Sequence, residues 1–105
     1  MVFISDIFVK KYFKIFADMD YNVIHNACEN RFEVIKDGLT GYVEYLPFDG
    51  GIDIVHTIVP PPLRGHGMAQ ALVEAAIQYA RKEKLRVIPS CSYAAAYVRR
   101  HPDEV

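Results

Sequence analysis

Apolar side chains recur at Ile4, Phe8, Tyr12, Ile15, Phe16 and Met19, and at about 100° per residue they share one side, with Asp6, Lys10, Lys14 and Asp18 opposite. The spacing predicts an amphipathic helix over residues 3–19. Such a helix needs an apolar surface to cover, either the protein's own sheet or a second subunit. Its polar side mixes both signs of charge, which suits water better than a lipid surface. The period then changes. Residues 31–36 (RFEVIK) alternate, Asp37-Gly38 supplies a hairpin turn, and residues 39–46 (LTGYVEYL) return as a second strand closed by Pro47 and Asp49-Gly50-Gly51. Residues 52–59 (IDIVHTIV) predict a third strand, with Ile52, Ile54, His56 and Ile58 on one face and Asp53, Val55, Thr57 and Val59 on the other. Pro60 to Pro62 end it. Helical spacing resumes over residues 67–83, with a stripe of Ala69, Leu72, Val73, Ala76 and Ala80. A short strand over 86–90 and a short helix over 93–100, stopped at His101-Pro102, complete the order (α)-β-β-β-α-β-α. This is an α+β pattern, divided into an appended helical segment at 1–22 and one domain at 23–105.

At 105 residues, 51% hydrophobic and 24% charged, the chain has the composition of one globular domain. The net charge of −1 gives no indication of nucleic-acid binding. The charge is unevenly spread: from Arg64 onward seven Lys/Arg face four acids, whereas residues 1–63 carry five against nine. An anionic ligand is therefore better received by the C-terminal part. Asp6, Lys10, Lys11 and Lys14 interrupt the first apolar runs, and no stretch of about 18 uncharged apolar residues follows, so neither a signal peptide nor a membrane span is expected. Cys28 and Cys91 are expected as reduced thiols in a cytoplasmic protein. His25-x-x-Cys28 has half of a zinc spacing and no second pair, so no metal site is expected.

The segment Arg64-Gly65-His66-Gly67-Met68-Ala69 lies between a strand and a helix. The first N–H groups of a helix lack internal acceptors and the helix dipole adds positive potential there, so this position suits phosphate. Gly65 and Gly67 let an anion approach the backbone, and Arg64 adds a permanent charge. Two glycines before a helix also fit a plain turn. No Gly-Lys-Ser/Thr follows, and a third glycine at dinucleotide spacing is missing.

Arg64-x-x-Gly67-x-Ala69 resembles the Arg/Gln-x-x-Gly-x-Gly/Ala loop of the GCN5-related N-acetyltransferases. Residues 55–60 (VHTIVP) and 88–93 (IPSCSY), with Tyr97 and Arg100-His101-Pro102, resemble a branch of stand-alone, roughly hundred-residue domains in that superfamily. The resemblance covers residues 25–105. It implies a mixed, mostly antiparallel sheet splayed between its two central strands and packed by helices. Acetyl-CoA would enter the opening, its pyrophosphate on Gly65, His66, Gly67, Met68 and Ala69 beside Arg64, its pantetheine arm along Thr57, Ile58 and Val59. A backbone N–H there would polarise the thioester carbonyl.

Two residues are candidates for chemistry. Generating a free amine from a lysine-type ammonium at pH 7 costs about 4.6 kcal/mol, a thiolate from an ordinary thiol only about 2 kcal/mol, so a cysteine is the cheaper first acceptor. Cys91 stands at a strand–helix junction, before a helix expected to be capped by Ser92, where orphan N–H groups favour an anion. Its alternative is a small buried hydrophobe. His56, matching a histidine of the family, is a candidate general base; its alternative is a hydrogen-bonded core residue. Glu44 is expected to face solvent and Tyr93 to pack or to protonate a leaving thiolate. The expected function is transfer of an acetyl group from acetyl-CoA to an amine acceptor, either through an acetyl-cysteine or directly, by a monomer or homodimer. A non-catalytic CoA or acyl-CoA binding module and a ligand-free interaction domain are the alternatives.

Overall fold

The alternating segments pair in the order in which they occur along the chain. The computed structural model describes residues 21–105, so the expected helix at 3–19, and with it most of the appended segment 1–22, lies outside the described residues. Five strands, β1 (Ile24–Asn26), β2 (Arg31–Lys36), β3 (Leu39–Phe48), β4 (Gly51–Ile58) and β5 (Arg86–Pro89), form one sheet in the order β1-β2-β3-β4-β5. The first four run antiparallel to their neighbours and β5 runs parallel to β4. The crossover from β4 to β5 is α1 (Met68–Lys82), and α2 (Ser92–Arg100) follows β5. The expected α+β class and mixed, mostly antiparallel sheet are observed. Strand β1 was not expected; at three residues, it is too short to show a period. β3 runs two residues beyond its expected end, through Pro47 and Phe48.

Both helices lie on one face of the sheet. Leu72, Val73, Ala76, Ile77 and Ala80 of α1 are fully buried against Phe32, Val34, Val43, Tyr45, Ile52 and Ile54. Each fully buried Leu or Ile contributes about 1.5–3 kcal/mol. The start of α1 is fixed by a close approach. Met68 is buried over β3, and a Cβ at Gly41 would come within 2.5 Å of its Sδ. On the same face His25 stacks on Phe32 with centroids 4.2 Å apart, meets the edge of Tyr79, and shares a 2.6 Å hydrogen bond between Nε2 and the Tyr45 hydroxyl. This cluster ties the short β1 to α1. The C-terminus is tied down in a similar way: the buried Tyr97 hydroxyl donates to Glu104 Oε1 at 2.9 Å, and the His101 ring stacks on Tyr97. Burial first, then that hydrogen bond, holds the Tyr97 phenol far above its ordinary pKa. Among the described residues no helix is long and apolar enough to cross a membrane.

Two outcomes follow from this packing. Gly41→Ala forces Met68 out of its seat, so equilibrium urea unfolding should record a loss of about 1–3 kcal/mol. Burial lowers the pKa of His25 below its usual 6.5. The unfolded chain therefore binds a proton that the folded one resists, and this contribution to stability is present above about pH 6.5 and lost as pH falls through the lowered folded value. The urea midpoint of the wild type should fall on acidification from about pH 7.5, and that of His25→Phe should fall less.

Candidate functional site at the parting of two strands

β4 and β5 pair over four residues only, from Gly51 opposite Arg86 to Ile54 opposite Pro89. Pro89 has no N–H to continue the ladder. The last rung is the Cys91 N–H, which donates to the Ile54 carbonyl at 2.9 Å. The chain then turns into α2 while β4 continues to Ile58, so residues 55–58 have no strand partner on that side among the described residues. The sheet therefore opens where the family resemblance implies an opening. The opening lies between β4 and the edge strand β5, however, not between two central strands, because no strand follows α2 among the described residues.

The alternation expected along β4 is broken at this point. Tyr45 pairs with Ile54, but Glu44 pairs with His56, which leaves Val55 as an extra residue in a β-bulge. A bulge moves every later side chain to the other face. Ile52 and Ile54 face the helices and are buried, whereas His56 and Ile58 are exposed on the opposite face. Thr57, opposite the buried Val43, takes up the helix side. The expectation that Ile52, Ile54, His56 and Ile58 share a face is thus corrected. His56 stands beside Glu44, whose cross-strand neighbour on β2 is Arg31. Arg31 is already engaged: its Nε donates to Glu33 at 2.8 Å, and its guanidinium lies 4.5 Å from the Tyr42 ring centroid.

Cys91 is half-buried at the mouth of the opening. Its Sγ and the Thr57 hydroxyl share a hydrogen bond at 3.3 Å across the gap. Cys91 itself caps α2, with its Sγ accepting the Ala94 N–H at 3.2 Å. The expected cap Ser92 is the first helical residue instead, because Cys91 is the last residue with extended backbone angles. The structure thus brings Cys91 to Thr57, a pairing without a signal in the sequence. It does not bring Cys91 to His56, which lies on the other side of β4. Tyr93 is partly buried against the core. His25 and Cys28 go separate ways, the ring to Tyr45 and the thiol to the surface.

The loop before α1 lies at the end of β4. Gly65 and Gly67 both have left-handed backbone angles, φ 84° and 81°. Gly67 is the N-cap of α1 and offers no side-chain acceptor, and no acid stands in the first turn. The first N–H groups of a 15-residue helix are therefore left without a side-chain partner, which is the arrangement that receives an anion. Met68 can contribute only its backbone, since its side chain is in the core. Arg64 Nε donates to the Val59 carbonyl at 2.9 Å, which ties the loop back to the end of β4 and takes up one of the backbone acceptors expected to meet pantetheine. The His66 carbonyl accepts the Tyr21 hydroxyl at 2.5 Å.

A sheet parted beside an uncapped helix N-terminus agrees with the family match. Residues 31–105 match the family described as GCN5-related N-acetyl-transferase, and the chain belongs to that family. It is similar to protein NATD1 of Xenopus tropicalis, Mus musculus and Homo sapiens, 37% identical over 51 residues, or 49% of this chain and 47%, 46% and 45% of those proteins. The chain thus spans about half the length of the curated relatives it matches. Its fold is similar to the solution structure of a GCN5-like protein from Staphylococcus aureus, with a TM-score of 0.63 and 28% identity over 80% of this chain and 83% of that one. Family membership supports acyl transfer as the general chemistry.

Since Gly67 has φ 81°, any side chain there is strained before a ligand arrives, although a Cβ would meet no atom within 4 Å. Gly67→Ala should cost about 1–2 kcal/mol in denaturant unfolding, the usual penalty of a left-handed non-glycine residue.

Proposed function

We propose that this chain is an acetyltransferase that takes acetyl-CoA as cosubstrate and passes the acetyl group to an amine by way of an acetyl-cysteine at Cys91. The observation that carries the reading is the Cys91 thiol at the mouth of the strand parting, hydrogen-bonded to Thr57 and to the first turn of α2. The pyrophosphate is received by the N–H groups of residues 65–69 with Arg64 at the side. The pantetheine arm runs along Thr57, Ile58 and Val59, where β4 has no strand partner on that side among the described residues, although Arg64 already holds the Val59 carbonyl. In the first step the Cys91 sulfur attacks the thioester carbonyl, the new C–S bond replaces the bond to CoA, and CoA leaves as the thiol with the proton that Cys91 gave up. In the second step a neutral amine attacks the acetyl-cysteine, and the Cys91 thiol is regenerated.

His56 serves the second step. It is exposed beside Glu44 and takes the excess proton of the incoming ammonium before the attack, so that a neutral amine reaches the acetyl-cysteine and gives one proton to the departing Cys91 sulfur. His56 acts on the amine before it meets the acetyl-cysteine, so the reading does not require the two residues to touch.

Intact-mass analysis after incubation with acetyl-CoA tests the first step. One acetyl adduct is expected, on Cys91 by peptide mapping and absent from Cys91→Ala, which should still bind acetyl-CoA in calorimetry. With a proven acceptor, Cys91→Ala should turn over at least about a hundredfold more slowly. Turnover at the wild-type rate would mean direct attack by the amine in a ternary complex. Tight binding of acetyl-CoA with neither adduct nor transfer would mean a CoA-binding module.

A further inference from the structure

The loop before α1 has two swivel points. Gly65 and Gly67 stand at φ 84° and 81°, and glycine takes negative φ as readily as positive. The peptide between His66 and Gly67 could therefore lie with either side outward at little cost in backbone strain. Which way it lies decides what the loop can receive. In a trans peptide the carbonyl and the following N–H point in opposite directions, and no peptide bond among the described residues is cis. One orientation offers the Gly67 N–H to an anion. The other offers a carbonyl oxygen, which repels it.

The orientation is fixed from outside the loop. The Tyr21 hydroxyl donates to the His66 carbonyl at 2.5 Å, across 45 positions of sequence. This bond turns the carbonyl toward Tyr21 and leaves the Gly67 N–H on the far side of the peptide. The N–H groups of Gly65, His66 and Gly67 find no acceptor among the described residues. The His66 side chain is exposed and makes no hydrogen bond among those residues either, so it does not orient the peptide.

Tyr21 is itself well held. Its ring packs against the core, and three residues further on the chain enters β1, whose His25 is bonded to Tyr45. Both ends of the loop are anchored as well, Arg64 to the Val59 carbonyl and Met68 in the core over Gly41. The Tyr21 bond also acts on donor strength. A hydrogen bond accepted by a peptide carbonyl polarises that peptide, so its N–H becomes a better donor.

We propose that Tyr21 is a positioning residue for the anion loop: its hydroxyl holds the His66–Gly67 peptide with the Gly67 N–H outward and so sets the affinity for the pyrophosphate of acetyl-CoA. This rests on the reading of residues 65–69 as the pyrophosphate seat. The effect is on binding, since the Cys91 thiol is held by Thr57 and Ala94 and not by this loop.

Tyr21→Phe keeps the ring and removes only the donor. In ligand-free, isotope-labelled full-length protein the His66 carbonyl carbon and the Gly67 amide should shift, with the urea midpoint close to wild type. Calorimetry should record a Kd for acetyl-CoA about three- to tenfold higher, the usual worth of one hydrogen bond. In Cys91 acetylation the loss should fall on KM and not on the rate at saturation. Amide-shift titration with inorganic pyrophosphate separates this inference from the proposed chemistry. Wild type should bind it at residues 65–70, and Tyr21→Phe should bind it more weakly by the same factor, whether or not Cys91 is acetylated. Unchanged affinity for both ligands in Tyr21→Phe would overturn the inference. A lower acetylation rate at saturation would also overturn it, as a general disturbance of the site, and so would pyrophosphate shifts in the wild type that bypass residues 65–70.

Discussion

The hydrogen bond from the Cys91 N–H to the Ile54 carbonyl is the point at which two neighbouring strands cease to be one sheet. Below it β4 and β5 share a parallel ladder; above it β4 bulges at Val55 and runs on paired only with β3 among the described residues, while the segment after β5 turns into a helix. Unpaired strand edge is normally a liability that proteins cover. Here it faces the thiol of Cys91 and ends in the Arg64 loop, so the same interruption that weakens the sheet gives an extended ligand a line of backbone groups to pair with. The bulge has a second effect. By reversing the faces of β4 it turns Thr57 toward Cys91 and His56 away from it, which assigns the two candidate chemical groups to opposite sides of one strand.

The opening would be of little use without a fixed helix end beside it. Met68, the first residue of α1, is buried over Gly41 of β3, and the Arg64 side chain ties the loop to Val59 at the end of β4. Left-handed backbone at Gly65 and Gly67 lets the chain turn sharply between those anchors. The helix therefore begins where β4 ends, with its N–H groups free of side-chain caps. Core packing and the position of the loop before α1 depend on the same contacts, which is why a methyl group at Gly41 would be felt at that loop.

Much of this was legible in the sequence, and what was not has physical reasons. The alternation over Arg31–Lys36, the Asp37-Gly38 turn, the proline stop at 60–62 and the helical stripe containing Leu72, Val73 and Ala76 each report a local preference, and the elements appear where those preferences put them. A bulge leaves no mark on a period-2 pattern, since residues 52–59 read equally well as one uninterrupted strand. Without the bulge, His56 would share the face of Ile54. The Cys91–Thr57 contact joins residues 34 apart in sequence, and only the parting of the strands brings them together. Cysteine is an uncommon N-cap, so Ser92 was the better guess from residue type alone. The glycine turn before α1 was legible because its requirement is local: glycines in left-handed backbone at a helix start.

On the proposed function, the β4–β5 parting and the uncapped start of α1 together form one acetyl-CoA site. Amide chemical-shift mapping of the full-length, isotopically labelled protein during titration with acetyl-CoA tests it most directly. The largest changes should fall on residues 65–70, along 55–59, and at Cys91, and should saturate together with one dissociation constant. Changes centred elsewhere on the fold, or a loop and a strand edge that respond with different affinities, would contradict it.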